Sequence, residues 1–223
     1  MSLFRYPSYL RKEYIEQKAE DVLEQMRKDP QYKAAFPLDP TRVAEFLGLN
    51  IVWDAIPSDE KGMIAARILP LEKLIEINES IPELQGAFGN STIAHEIGHW
   101  ILHINHDEVS GAISQQTLDL VSETHQPFLC RSMTVQQGIE WQAQYFASCL
   151  MMPLSVLKEV SRGRDLTSWK HLYPMANDLD VTISNLTNRL QDLGLIHIRR
   201  GSKRIYPGRK SYTSQPSLLS EIS

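Results

Sequence analysis

The stretch His95-Glu96-Ile97-Gly98-His99 constrains this chain more than any other. Apolar residues Ile93, Ile97, Trp100 and Ile101 recur around it at helical spacing, and Ser91 or Thr92 can cap a helix after the turn signals of Gly86 to Asn90. On a helix, side chains four apart differ in direction by only about 40°, so His95 and His99 project from one face and can share a tetrahedral cation. Glu96 stands beside them, rotated away from coordination yet close enough to take a proton from water. Gly98 has no side chain and lets a second backbone approach. Two satisfied surface histidines with an incidental glutamate would give the same pattern. A third ligand separates the two readings.

Leu102 and Asn105 occupy the positions where an extended zinc motif places Gly and a third His, so that extension is absent. His103 lies one turn beyond His99, past a cation held between His95 and His99, and His106 follows it; both are expected to be supporting or structural. Glu140 is the better candidate. It heads a helical stripe of Ala143, Ala147 and Leu150, whose small residues permit close approach to the first helix. Burying a carboxylate there without a partner costs several kcal/mol, and a metal would be a natural partner. The alternative is a first-turn glutamate favoured by the helix dipole. Glu108 and Glu123 head no such stripe.

The remaining pattern describes an α+β chain with a small antiparallel sheet. Helices are expected from Glu13 to Lys28, with Tyr14, Ala19, Val22, Leu23 and Met26 inward, and from Pro40 to Leu47, ending at Gly48 before the strand Ile51-Val52-Trp53. Gly62 to Leu69 and Leu74 to Asn78 read as a hairpin about Pro70 to Lys73, with Leu74 to Asn78 as an exposed edge that can take an added substrate strand. Asn105 to Gly138 is long and polar, with weak helical character over Ile113 to Val121 and a strand at Phe128 to Cys130. Helices return over Ile139 to Met152, Leu154 to Val160 and, in two pieces broken at Asp180 to Thr182, over His171 to Leu193. The expected organisation is a core over 13–160, a helical C-terminal subdomain over 161–210 and a flexible serine-rich tail over 211–223.

Arg199, Arg200, Lys203 and Arg204 cluster on an expected hairpin behind the last two helices. The arrangement is winged helix-turn-helix-like and would allow weak, salt-sensitive nucleic-acid contact through residues 199–210; a solvated basic loop is the plainer alternative. The whole chain, at net charge −4, has no basic field that would draw it to nucleic acid or membrane. No run approaches the roughly 18 apolar residues of a membrane span. Charges within Met1 to Tyr14 interrupt any secretory apolar core, so a cytoplasmic setting with Cys130 and Cys149 reduced is expected.

Thr92-Ile93-Ala94-His95-Glu96-Ile97-Gly98-His99-Trp100-Ile101-Leu102-His103, together with Glu140-x-x-Ala143-x-x-Phe146-Ala147-x-x-Leu150-Met151-Met152-Pro153 and the closing Val181-Thr182-Ile183-Ser184-Asn185-Leu186-x-x-Arg189-Leu190, resembles the ImmA/IrrE-type metallo-endopeptidases over about residues 14–196. The resemblance implies a zincin-like metallopeptidase core similar to gluzincins, with Zn2+ held by His95, His99 and Glu140 and a zinc-activated water deprotonated by Glu96. It also implies a protein substrate of the helix-turn-helix repressor kind. His103 and Gln144 are expected to support the ligands without touching the metal. Gln144 departs from the shorter Asn or Asp usual there, and the long interval between His99 and Glu140 leaves room for a lid. Tyr145, His125, His171 and Tyr173 are the nominees for steadying an oxyanion, and Cys130 reads as an inert buried thiol rather than an inhibitory ligand. The competing class is a non-catalytic, zinc-stabilised regulator that binds DNA or a partner protein.

Overall fold

The computed structural model of the chain describes residues 3–4, 9–60, 62–116, 128–131 and 138–208, with the backbone alone at 115–116 and 128–131. His125, the side chain of Cys130 and the expected tail over 211–223 lie outside the described residues.

Helix α1 (Lys12–Lys28) buries Ile15, Ala19, Val22, Leu23 and Met26. Tyr14, expected on that face, is instead exposed, because Ile15 is the residue in line with Ala19 and Val22 at i+4 and i+7. Asp39 opens α2 (Pro40–Phe46): its carboxylate accepts the Thr41 N–H at 2.9 Å, and Pro40 fits the first turn. Gly48, at φ 72°, then turns the chain into β1 (Asn50–Asp54).

Strands β2 (Ile64–Leu69) and β3 (Leu74–Asn78) form the antiparallel pair read from the sequence. Arg67 and Glu76 lie opposite each other in it and form an ion pair. The four-stranded sheet is mixed rather than wholly antiparallel. Its order is β1-β3-β2-β4, with β4 at Phe128–Arg131 and β1 parallel to β3. One edge of β2 holds β3 and the other holds β4, so β1 joins only on the far side of β3. Leu74–Asn78 is therefore an interior strand, and the expected edge addition there has no free ladder to use. Asn78 locks its end: its Nδ2 donates to the carbonyls of Ile56 at 3.0 Å and Ile64 at 2.8 Å.

Helix α3 (Ala87–His103) begins four residues before the expected cap at Ser91. Ser91 and Thr92 lie inside the helix and donate back to the carbonyls of Ala87 and Phe88, at 2.9 and 3.0 Å. Gly89 permits the early start, since a Cβ at that position would collide with the Leu84 carbonyl. Beyond it come α4 (His106–Gln116), α5 (Ile139–Met151), α6 (Leu154–Val160), α7 (Trp169–Asp178) and α8 (Ile183–Asp192). The Thr182 hydroxyl caps α8 by accepting the Asn185 N–H at 3.1 Å. The strands β5 (Ile196–Ile198) and β6 (Ile205–Pro207) pair as the antiparallel hairpin.

α3 is the buried spine of this α+β chain: it packs on α5 on one side and on β2 and β3 on the other, while α1 covers α5. A contiguous core runs from Ile15, Leu23 and Ile77 through Ile97 and Phe146 to Leu172, Leu186 and Leu190, so the helices after residue 161 share it. Arg189, wholly buried, ties α8 to the rest. Its guanidinium meets Glu16 of α1 at 2.6 Å, the Tyr145 hydroxyl at 3.4 Å and the Met152 carbonyl at 3.3 Å. Among the described residues, no helix is long and apolar enough to cross a membrane.

Candidate metal centre

Two helices bring the charged groups together because small residues let their backbones nearly touch. A Cβ on Gly98 would lie 2.8 Å from the Ala143 carbonyl oxygen, so glycine is required for α3 and α5 to pack at this distance. Glu140, three residues before Ala143, is thereby held across from His95 and His99. His95 is 6% exposed, and Glu96 and His99 are fully buried.

The ligand atoms converge as the sequence spacing predicts. His95 Nε2 lies 3.0 Å from His99 Nε2 and 3.1 Å from Glu140 Oε2, and His99 Nε2 lies 3.6 Å from Glu140 Oε1. A tetrahedral ion with bonds of about 2.0–2.1 Å separates its ligand atoms by about 3.3 Å, close to these edges. Two imidazole nitrogens this near each other repel unless a proton or a cation lies between them. The three side chains form a group that can hold a metal ion, and the two-nitrogen, one-carboxylate donor set suits zinc chemistry.

A chain of hydrogen bonds readies His99 for that role. Gln142 Oε1 accepts from His103 Nε2–H at 3.0 Å, which leaves the His103 Nδ1 lone pair to accept from His99 Nδ1–H, also at 3.0 Å. The lone pair of His99 Nε2 is then directed at His95 and Glu140. His103 thus lies on the side of His99 away from His95 and Glu140. Gln142, which anchors it, was not singled out from the sequence. Its signal was a polar residue two positions after Glu140 at a place the helix buries.

Burial and neighbouring charge set the proton affinities. Burial is the largest influence on His99 and holds it at about 3, so the ring is neutral and able to ligate. Burial acts to raise Glu140, yet the hydrogen bond with His95 and the closeness of the two imidazoles bring it down to about 2. For His95, burial disfavours the proton, but the bond to Glu140 and the charges of Glu96 and Glu140 prevail and raise it. Gln144, exposed on α5, acts in the same direction on His95 and is the smallest of these influences.

Other nominees lie elsewhere. His106 Nε2–H donates to the Trp100 carbonyl at 2.9 Å. The Tyr145 hydroxyl faces Arg189, His171 Nδ1 accepts the Asp165 N–H at 2.7 Å, and Tyr173 is exposed beside Trp169 on α7. The structure brings none of these three to the ligand cluster. Residue type, the feature that nominates them in the sequence, carries no information on direction.

Arg199, Arg200, Lys203 and Arg204 are all exposed on or beside the β5–β6 hairpin. Arg199 and Arg204 flank the ring of Tyr206, each guanidinium carbon 5.2 Å from its centre. The order helix, turn, helix, hairpin is present, but the start of α8 is docked on α3. Asn185 donates to Ser91 Oγ at 2.6 Å, and Asn90 donates to Asp180, in the preceding turn, at 2.7 Å. A recognition helix offers these leading residues to base edges, whereas here they are engaged within the fold.

A cleft of about 390 Å³ runs between α5 and α8. Gln144 and Ser148 on its α5 side continue the helical line from Glu140, and Asn185 and Asn188 face them from α8.

The observations define a mixed α+β chain carrying a buried His-His-Glu group able to bind a metal. The chain matches no family model and no curated protein. Among solved structures it is similar to a Mycobacterium tuberculosis transcriptional regulator, with a TM-score of 0.47 and 15% identity over 82% of this chain and 48% of that one. It spans about half that protein's length.

Proposed function

We propose that this chain is a zinc-dependent endopeptidase of the ImmA/IrrE type, with a zincin-like core, whose substrate is a helix-turn-helix transcriptional repressor. The observation that carries this reading is the convergence of His95, His99 and Glu140 from two helices, with fully buried Glu96 adjoining the first of them. A zinc ion bound there supplies a Lewis acid and lowers the pKa of a water to about 7.

The residues of the chain perform the rest. Gln142 and His103 hold the His99 tautomer, so that its Nε2 lone pair stays available without rearrangement. Glu140 supplies one negative charge, so a divalent ion held by the three side chains would keep a net positive charge and could act as a Lewis acid toward a peptide carbonyl. A carboxylate oxygen of Glu96 takes the proton of the attacking water and returns it to the leaving amine nitrogen. The α5–α8 cleft opens beside Gln144, and its amide side chains can both donate to and accept from a peptide main chain.

The test uses purified full-length protein loaded with zinc and the helix-turn-helix repressors encoded beside its gene. Glu96→Gln retains one zinc per chain by elemental analysis while cleavage falls by at least about 100-fold. Zinc-loaded wild-type protein that leaves every such repressor intact, or Glu96→Gln protein that cleaves at the wild-type rate, refutes the reading.

A further inference from the structure

Strand β1 is an edge of the sheet, paired on one side with β3 and on the other with no strand among the described residues. At its ends the Asn50 N–H donates to the Lys73 carbonyl at 2.8 Å, and the Asp54 carbonyl accepts the Glu79 N–H at 3.0 Å. Backbone direction alternates along a strand, so Asn50, Val52 and Asp54 face β3, whereas the N–H and C=O groups of Ile51 and Trp53 face outward. Natural edges are commonly blunted by lysine, proline or a bulge. β1 has none of these, and its register with β3 is regular over all five residues. It also shows apolar side chains to solvent, Val52 and Trp53 each at 43%.

The order of residues makes this edge complementary to itself. In an antiparallel pair, outward-facing residues oppose outward-facing residues. A two-fold axis through Val52 meets that condition: Ile51 falls opposite the second copy's Trp53, and every outward N–H and C=O group of both strands is bonded. Ile51 and Trp53 then form β-branched and aromatic pairs on one face, while Val52 meets its own copy on the other. Asn50 falls opposite Asp54, an amide donor against a carboxylate. Asp54 Oδ1 accepts the Ala55 N–H at 2.7 Å, and the carboxylate retains further acceptor capacity for that amide. Moving the axis to Ile51 or Trp53 would set the other outward residue against Leu49 or Ala55, both outside the strand.

We propose that β1 pairs antiparallel with β1 of a second copy of this chain, joining two four-stranded sheets across a two-fold axis at Val52. The pairing requires neither the metal centre nor the peptidase reading. Five residues span about 17 Å, so the interface belongs to the small, reversible class, with a dissociation constant on the order of 10–100 µM.

Sedimentation equilibrium of the full chain from about 5 to about 500 µM should pass from monomer to dimer. Over that range hydrogen exchange at the Ile51 and Trp53 amides should slow by at least about threefold, while Val52 and Asp54, already bonded to β3, keep their rates. Val52→Lys sets two ammonium groups face to face at the axis and should weaken the dimer by at least about tenfold. Val52→Cys should crosslink to itself on mild oxidation, since directly opposed residues there have Cα atoms about 4.5 Å apart. Asn50→Cys should crosslink instead to Asp54→Cys protein, and peptide mapping separates these bonds from any through Cys130 or Cys149. Circular dichroism establishes that each variant is folded. A chain still monomeric at about 500 µM, a folded Val52→Lys protein that dimerises as wild type does, or self-crosslinking of Asn50→Cys in preference to Val52→Cys overturns the proposal. So does protection of the Ile51 and Trp53 amides that needs an added partner protein, a result that assigns the edge to that partner.

Discussion

Replacing Gly98 with alanine isolates the contact that places Glu140 opposite the histidines. The new Cβ would lie 2.8 Å from the Ala143 carbonyl oxygen and 3.0 Å from its Cα, both backbone atoms of α5. Restoring an ordinary contact requires α3 and α5 to separate by about 0.6 Å at this point. Alanine favours the helix by about 1 kcal/mol over glycine, whereas overpacking a close contact costs about 1–3 kcal/mol. The metal-free protein should therefore lose about 1 kcal/mol in a denaturant titration. The larger effect falls on the metal. Coordination distances tolerate only about 0.2 Å, so zinc affinity measured by chelator competition drops by about 10- to 100-fold, the range seen when a ligand loses its support. Gly111→Ala in α4 is the control, since its Cβ would meet nothing within 4 Å. A Gly98→Ala protein with an unchanged unfolding midpoint and wild-type zinc affinity refutes the reasoning.

Glu140→Ala leaves two neutral imidazoles, and elemental analysis after dialysis should find less than one zinc per chain, whereas wild type retains one. His103→Ala removes the acceptor that fixes the His99 tautomer, and chelator competition should show about 10- to 100-fold weaker zinc binding. Glu16→Ala removes both the counter-charge and the 2.6 Å acceptor of the buried Arg189 guanidinium, so denaturant titration should report a loss of about 1–3 kcal/mol, reduced from the fully buried case by the partial exposure of Glu16. Burial pushes the Cys149 thiol up to about 12, so mass spectrometry should find it unalkylated at pH 8 until the protein is unfolded. The linked stability is complete below the unfolded thiol's pKa of about 8.5 and declines as pH rises from there toward about 12, because the folded chain holds the proton longer.

What could be read from the sequence depended on whether a role rests on one helix or on what approaches it. His95, Glu96 and His99 were legible because 3.6-residue periodicity alone sets their directions. The start of α3 was not: Ser91 and Thr92 are good caps in isolation, but Leu84 and Gly89 let the helix begin earlier, a tertiary contact overriding a local preference. The β2–β3 hairpin is local and was found, while the parallel β1–β3 pairing and the interior position of β3 depend on β4, some fifty residues downstream of β3. The His99–His103–Gln142 relay likewise needs two helices, and no spacing within either one discloses it. Glu140 crosses this division, since it joins the cluster only through tertiary packing. It was nevertheless legible because the approach leaves a trace on each helix: Gly98 on one, Ala143 and Ala147 on the other. Paired smallness is how a single helix records a neighbour it has not yet met, and a carboxylate at the head of such a stripe is the group that close packing must provide with a partner.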